Sequence, residues 1–281
     1  MGKPLKIKYK KIIVITGGSG LLGNYFYKKY KNIYKILKYP YRIEKFNKFE
    51  KWLSKKNFDY FIHFAAITKN ESNQFRKTLQ LVNVKSPIKI LNIINQKKIK
   101  NFKYFLFISS SHVYGYSKKK IKETKRRIPQ NVYGKSKKRV EDYIINNRKK
   151  FNFKVGIARI FNSTGPKQKK GNFVPDMIYK MKKLKAIKNI NQYRDFIHID
   201  DVSRSIKCLI EKQVQNPINI SSGKKVNLIK ACDILNKKYV KKEMIYDLKK
   251  GKDIYGDNAL LRKLGIKRFK NITQSLLSYK K

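Results

Sequence analysis

The sequence predicts a doubly wound α/β domain with a parallel central sheet, carrying a smaller C-terminal lobe. Three observations predict it. Short, continuous apolar runs recur along the first 160 residues, amphipathic stretches of helical length separate them, and a glycine-rich turn follows the first run directly. A strand buried on both faces has no polar face to show, so continuous apolar strands separated by helices imply a sheet covered on both sides.

Taken in order, the strand-like runs are "KIIVIT" (11–16), "YKIL" (34–37), "DYFIHFAA" (59–66), "FKYFLFISS" (102–110) and "FKVGIARI" (153–160). Helix-like segments lie near 20–31, 46–56, 74–97 and 133–149. After about residue 160 the alternation loosens, and "FNSTGPKQKKGNFVP" brings glycine, proline and polar residues ahead of a helical stretch from 174 to 184. The expected division is a main domain over 1–160 that also receives about 191–212, through "RDFIHID" and the helix after it. The rest of 161–281 forms a smaller substrate-binding lobe.

With 281 residues, 41% hydrophobic and 13% aromatic, the chain can bury a sizeable core. Its two cysteines, Cys208 and Cys232, are too few for a disulfide framework and lack metal-ligand spacing. That fits a reducing, cytoplasmic setting and predicts no metal. The early apolar run "IIVI" is too short for a signal-peptide core, and no later stretch is long enough to span a bilayer.

The charge balance is extreme: 70 Lys+Arg against 17 Asp+Glu leaves +53. Such a charge attracts any polyanion, which raises a rival class, a nonenzymatic nucleic-acid or polyanion binder on the same fold. The basic residues are spread evenly, however, and accompany plentiful Asn, Ile, Tyr and Phe, as an AT-rich coding sequence would give. No basic block adjoins a recognition motif, so neither a specific nucleic-acid partner nor a membrane partner is expected.

"VITGGSGLLG" sets Gly17, Gly20 and Gly23 directly after the first strand and at the mouth of a helix. There glycines permit a tight turn and close backbone approach, and the helix N-terminus offers N–H groups to a pyrophosphate. The reading is a Rossmann-type domain for NAD or NADP. The acidic residue that often ends the second strand to hold the adenine ribose is missing; Lys38 and Arg42 stand there instead and suit a 2′-phosphate.

The fourth strand ends in "FISSSHVYG", delivering Ser109, Ser110 and Ser111 to the carboxyl edge of the sheet, where such folds bind ligands. About twenty residues on, Tyr133 opens a helix and Lys137 follows one turn later on the same face. The spacing Tyr-x-x-x-Lys occurs nine times in this lysine-rich chain, so spacing alone selects nothing. Context does: none of the other eight follows a sheet-edge serine cluster and precedes a helix and then a buried strand. An adjacent ammonium lowers the cost of a phenolate, letting Tyr133 exchange a proton with a substrate hydroxyl while a serine holds the same oxygen.

"TGGSGLLG", "DYFIHFAA", "FISSSHVYG", "YGKSK", "ARIFNSTGP", "RDFIHIDDV" and "DNALLRKLGI" run nearly end to end. In this order they resemble the extended short-chain dehydrogenase/reductases of the NAD-dependent nucleotide-sugar epimerase/dehydratase family, similar to UDP-glucose 4-epimerase. The resemblance implies a catalytic Ser110, Tyr133 and Lys137, with Ser110 and Ser111 on the substrate side. It implies cofactor contacts from Gly17, Gly20, Leu21, Leu22, Gly23, Phe64, Ala65, Ala66, Tyr133, Lys137 and Ile160, and a pocket role for Asn83 in "LVNV". It further implies that Asn162 meets a nucleotide-diphosphate sugar, that Arg194 meets its diphosphate, and that the protein is a homodimer.

Three departures shape the expected activity. Arg42 stands in "YRIE", where relatives carry an Asp toward adenine; no second Arg for the diphosphate is evident, leaving Lys249 or Lys250 as point charges; and Ser110-Ser111-His112 lacks the acidic pair of the 4,6-dehydratases. The expectation is an epimerase or reductase working by hydride transfer at sugar C4. A 4-keto-sugar epimerase-reductase using His112 as acid or base, opposite Lys167 or Lys170, is the alternative. His63 and His198, inside strand motifs, are expected to be structural.

Overall fold

The computed structural model describes residues 10–68, 73–183, 186–246, 248–249 and 251–279; Lys250 lies outside them. The chain opens with β1 (Ile12–Thr16), α1 (Leu21–Tyr30), β2 (Lys35–Lys38), α2 (Phe46–Leu53) and β3 (Tyr60–His63). It continues with α3 (Asn73–Gln80), a π-helical turn over Leu81–Lys85, α4 (Ser86–Lys97), β4 (Tyr104–Ser110), α5 (Val132–Asn147) and β5 (Lys154–Ile160). Then come β6 (Asn162–Thr164), α6 (Phe173–Lys182), β7 (Tyr193–Arg194), β8 (Phe196–His198), α7 (Ile199–Glu211) and β9 (Ile218–Ile220). β10 (Val226–Asn227), α8 (Leu228–Tyr239), α9 (Ala259–Lys263) and α10 (Ile272–Leu277) complete it.

Six strands form one parallel sheet in the order β2-β1-β3-β4-β5-β9. Alternate residues of each strand feed opposite cores. Ile13, Ile15, Ile62, Leu106 and Ile108 meet Phe26 and Tyr30 of α1 and Val202, Ile206 and Leu209 of α7. Val14, Phe61, Phe105, Phe107 and Val155 meet Ile90, Leu91 and Ile94 of α4 and Val140 and Ile144 of α5. Two apolar faces on β1, β3, β4 and β5 explain why these runs read as continuous rather than alternating.

One boundary needs correction. The sequence pattern puts residues beyond about 213 in the small lobe, yet Ile218–Ile220 is the sixth strand of the main sheet, paired with Ala158–Ile160, and Leu261 of α9 packs into the first core. A three-residue strand with a polar centre, Asn219, gives no apolar run to detect. The buried Asn219 Oδ1 accepts from Tyr114 at 2.7 Å and its Nδ2 donates to the Ile121 carbonyl at 2.9 Å, so its amide is satisfied inside the fold.

The lobe has its own core, formed by Val174, Ile178 and Met181 of α6, Phe196 of β8, Ala231, Cys232 and Leu235 of α8, and Leu276 of α10. Buried Asp195 ties it to the sheet edge, accepting from the N–H of Ser222 at 2.8 Å, the hydroxyl of Ser222 at 2.8 Å and the N–H of Gly223 at 2.9 Å. No described helix is long and apolar enough to cross a membrane.

Candidate active site

β4 ends at Ser110, and a single 3-10 turn over Ser111–Val113 carries the chain off the sheet edge; the Ser110 hydroxyl accepts from the His112 N–H at 3.3 Å and fixes that turn. α5 starts where Asn131 caps it, its Oδ1 accepting from the Gly134 N–H at 2.7 Å. Tyr133 therefore stands in the first turn and Lys137 one turn on, both facing the serines.

Together these elements form one wall of a cavity of about 810 Å³, lined there by Ser110, Ser111, His112, Asn131 and Tyr133. Ile160, paired with Ser110 across β4 and β5, lies beside that wall, and the lobe side contributes Asn162, Ser163, Asn172, Phe173 and Phe196. Thr68, Phe75, Arg76 and Leu79, from β3's following loop and α3, close the end.

Burial pushes the Tyr133 phenol up to about 12, and a hydrogen bond with Ser110 pulls the other way. Lys137 is 2% exposed, and burial pushes it down to about 7 while Glu141, one turn further on, pulls it up. Its ammonium donates to the Ile108 carbonyl at 2.8 Å and lies 4.7 Å from the Phe107 ring centre and 5.8 Å from that of Tyr133. The phenol is thus held protonated, while the lysine is anchored to the strand rather than to the phenol oxygen. In this state Tyr133 is an acid; further positive charge brought beside it makes it a base.

Ser109, third of the serine cluster, turns away and donates to Glu141 at 2.6 Å. Glu141 is fully buried and also accepts from Arg159 at 2.7 Å and from Arg127 at 3.0 Å. Arg159 in turn donates to the Tyr114 hydroxyl at 2.7 Å, which donates to Asn219. This network joins α5 to β5 and β9.

The glycine loop fits a dinucleotide. Gly17 has φ +67°, and a Cβ there would stand 2.6 Å from the Ala65 nitrogen, so loop and the Phe64–Ala66 segment touch backbone to backbone. α1 begins after Gly20 with no side-chain cap, leaving its first N–H groups to an anion, with Leu21, Leu22 and Gly23 in that turn. Lys38 lies across Gly18, its ammonium 4.2 Å from the Tyr27 ring centre, at the ribose end of such a site. Arg42 is paired with Glu44 and largely exposed.

Other residues singled out by sequence fall elsewhere. Asn83, on the π-helical turn, is spent on the fold: its amide exchanges two 2.8 Å hydrogen bonds with Ile67 and donates to Ser136, so it holds the loop after β3. Asn162 lines the cavity with its Nδ2 tied to the Asp195 carbonyl at 3.0 Å. Arg194 is anchored by the carbonyls of Tyr193 and Lys252 and by Gln192, and its charge reaches His112 from outside the lining. Lys167 and Lys170 are exposed and do not line the cavity, and Lys249 is exposed. His63 is buried against Thr16 and between Phe105 and Phe107, and burial pushes it down to about 3; His198 accepts from the Asp200 N–H at the start of α7.

Residues 13–221 match the model of the NAD dependent epimerase/dehydratase family. The chain belongs to this family. It is an enzyme of the extended short-chain dehydrogenase type, and its cofactor is a nicotinamide dinucleotide. The GDP-6-deoxy-D-talose 4-dehydrogenase of Aggregatibacter actinomycetemcomitans is 30% identical over 229 residues, 75% of this chain and 74% of its own length. The ADP-L-glycero-D-manno-heptose-6-epimerase of Brachyspira hyodysenteriae is 27% identical over 310 aligned positions, covering 95% and 96%. Among solved structures, the UDP-glucose 4-epimerase of Thermotoga maritima with UDP-glucose superposes with a TM-score of 0.84 at 22% identity, over 95% of this chain and 96% of that one, a likeness of fold.

Asn131, Arg76, Leu79, Phe173 and Phe196 were not anticipated as site residues. Asn131 carried a readable signal, an Asn just ahead of a helical run. The others reach the cavity only through tertiary packing.

Proposed function

We propose that this protein interconverts nucleotide-diphosphate sugars by hydride transfer at C4, as a 4-epimerase or a 4-keto reductase, with Ser110, Tyr133 and Lys137 as its catalytic residues. The observation that carries this is the meeting of the Ser110 and Tyr133 hydroxyls in one cavity, with Lys137 buried behind them. Bound nicotinamide supplies the hydride acceptor or donor. Tyr133 takes the proton of the C4 hydroxyl or returns one to the C4 oxygen, and Ser110 holds that oxygen in line. Lys137, fixed by Ile108, sets the local charge.

Asn162 meets the sugar, and Arg194, whose charge reaches His112, meets the diphosphate. Relatives named for GDP- and ADP-linked sugars support a nucleotide-sugar substrate. Lys38 at the end of β2, where an acid would bind the NAD ribose, favours NADP(H).

Two measurements test the reading. Mass spectrometry of small molecules released on denaturing the purified protein is expected to find a dinucleotide, and net NADPH consumption separates a reductase from an epimerase, which has none. Tyr133→Phe is expected to lower kcat for the sugar by about 10²–10⁴-fold without unfolding the protein. Undiminished turnover in that variant rules the mechanism out.

A further inference from the structure

His112 lines the cavity, its ring edge-on to that of Tyr133 with centres 5.9 Å apart. Its Nδ1 lies 3.0 Å from the Asn131 Nδ2. Which proton sits between them is decided by the helix start. The Gly134 N–H can only donate, so the Asn131 atom 2.7 Å from it is the oxygen, and the atom facing His112 is the NH₂. An NH₂ group can only donate in turn, so His112 Nδ1 is bare and its ring proton is on Nε2.

Asn131 cannot turn over without uncapping α5. Gly134 also presses on the His112 backbone, where an added Cβ would stand 2.3 Å from the carbonyl oxygen, so the two segments are held in register. Protonating the ring would set an N–H against an N–H. Desolvation on the cavity side of the partly exposed ring, and after it the charge of Arg194, also disfavour the imidazolium, and Tyr133 is neutral.

We infer that His112 is locked as a neutral imidazole whose Nε2–H is a fixed hydrogen-bond donor to an acceptor oxygen of the sugar beside the reacting carbon, and that it carries no proton during turnover. This rests on the nucleotide-sugar reading above. The lock blocks both proton-transfer roles. As a base, His112 needs its proton on Nδ1, facing the Asn131 NH₂; as an acid it needs the imidazolium, with the same clash. His112 is therefore a specificity residue, favouring sugars that present a carbonyl, carboxylate or accepting hydroxyl there, and epimerisation beside the keto group does not run through it.

The chain has three histidines, His63, His112 and His198, so a long-range ¹H–¹⁵N spectrum of the labelled protein resolves each ring. His112 is expected as the Nε2–H tautomer and to titrate below its ordinary value. Asn131→Asp keeps a good helix cap but offers an acceptor to the ring; it is expected to move the proton to Nδ1 and raise the titration midpoint by about one unit or more. A wild-type Nδ1–H tautomer, or a spectrum unchanged in Asn131→Asp, overturns the lock.

The role is read with whichever of UDP-, GDP-, dTDP- and ADP-linked hexoses the wild type converts. His112→Phe is expected to raise KM about tenfold with little change in kcat, and His112→Gln, whose amide N–H replaces Nε2–H, to recover most of that loss. A kcat loss that glutamine does not rescue restores the acid or base role. If the wild type converts none of these sugars, the functional reading falls while the spectrum still decides the lock.

Discussion

The two walls of the cavity are held in different ways. On the wall made by β4 and α5, side chains are tied to fixed partners: Lys137 to the buried Ile108 carbonyl, Ser109 to the buried Glu141, and His112 to the exposed Asn131 that caps α5. On the lobe wall, Asn172 is exposed, Phe173 is half-buried, and Asn162 is tied through a single side-chain bond to the Asp195 carbonyl. The difference separates two tasks. Proton and hydride chemistry needs groups fixed to fractions of an ångström, whereas recognising a particular sugar needs only shape and a few contacts, which a lobe can vary.

Substitutions can break this contrast, beginning with the network under the first wall. Glu141→Ala leaves Arg159 buried without its carboxylate and is expected to destabilise folding by about 3–5 kcal/mol, measured by denaturant unfolding. A loss under 1 kcal/mol would mean that the wall does not depend on this pair.

Lys137 sharpens the contrast through pH. Its folded value is about 7 against an ordinary 10.5, so between those values the folded state binds fewer protons than the unfolded chain. Wild-type stability, taken relative to Lys137→Met, is therefore expected to rise with pH across that window, by on the order of 5 kcal/mol in total, and to be flat below it. A flat difference from pH 7 to 10 would show that the lysine is not held in a dry site.

The lobe wall should respond least. Phe173→Ala is expected to cost about 1 kcal/mol or less in stability, since the ring is half-buried, while raising KM several-fold with kcat nearly unchanged. A large fall in kcat would assign chemistry to the second wall as well.

The same division governs what could be read in advance. β1, β3, β4 and β5 announced themselves as apolar runs because each is buried on both faces; the glycine turn, the serine cluster, Tyr133 and Lys137 followed from their order along the chain, and Ser110 was picked from the cluster by the family resemblance. β9 did not, because a three-residue strand centred on Asn219 depends on partners about a hundred residues away. Glu141 and Arg159 looked like two more charges in a chain full of them; only the fold shows that they face each other at 2.7 Å. Phe75, Arg76, Phe173 and Phe196 come from separate segments with no common pattern. Asn83, given a pocket role by the resemblance, has its amide bonded to Ile67 and Ser136 instead.

The π-helical turn at Leu81–Lys85 adds one residue to the ladder between α3 and α4. In an α-helix each residue advances the face by about 100°. That single extra residue sets which face of α3 looks at the cavity, and so brings Phe75, Arg76 and Leu79 to its end rather than their neighbours. A one-residue insertion or deletion there acts like a combination dial: it turns α3 by about 100° and exchanges in one step the side chains that this helix brings to the cavity, leaving Ser110, Tyr133 and Lys137 untouched.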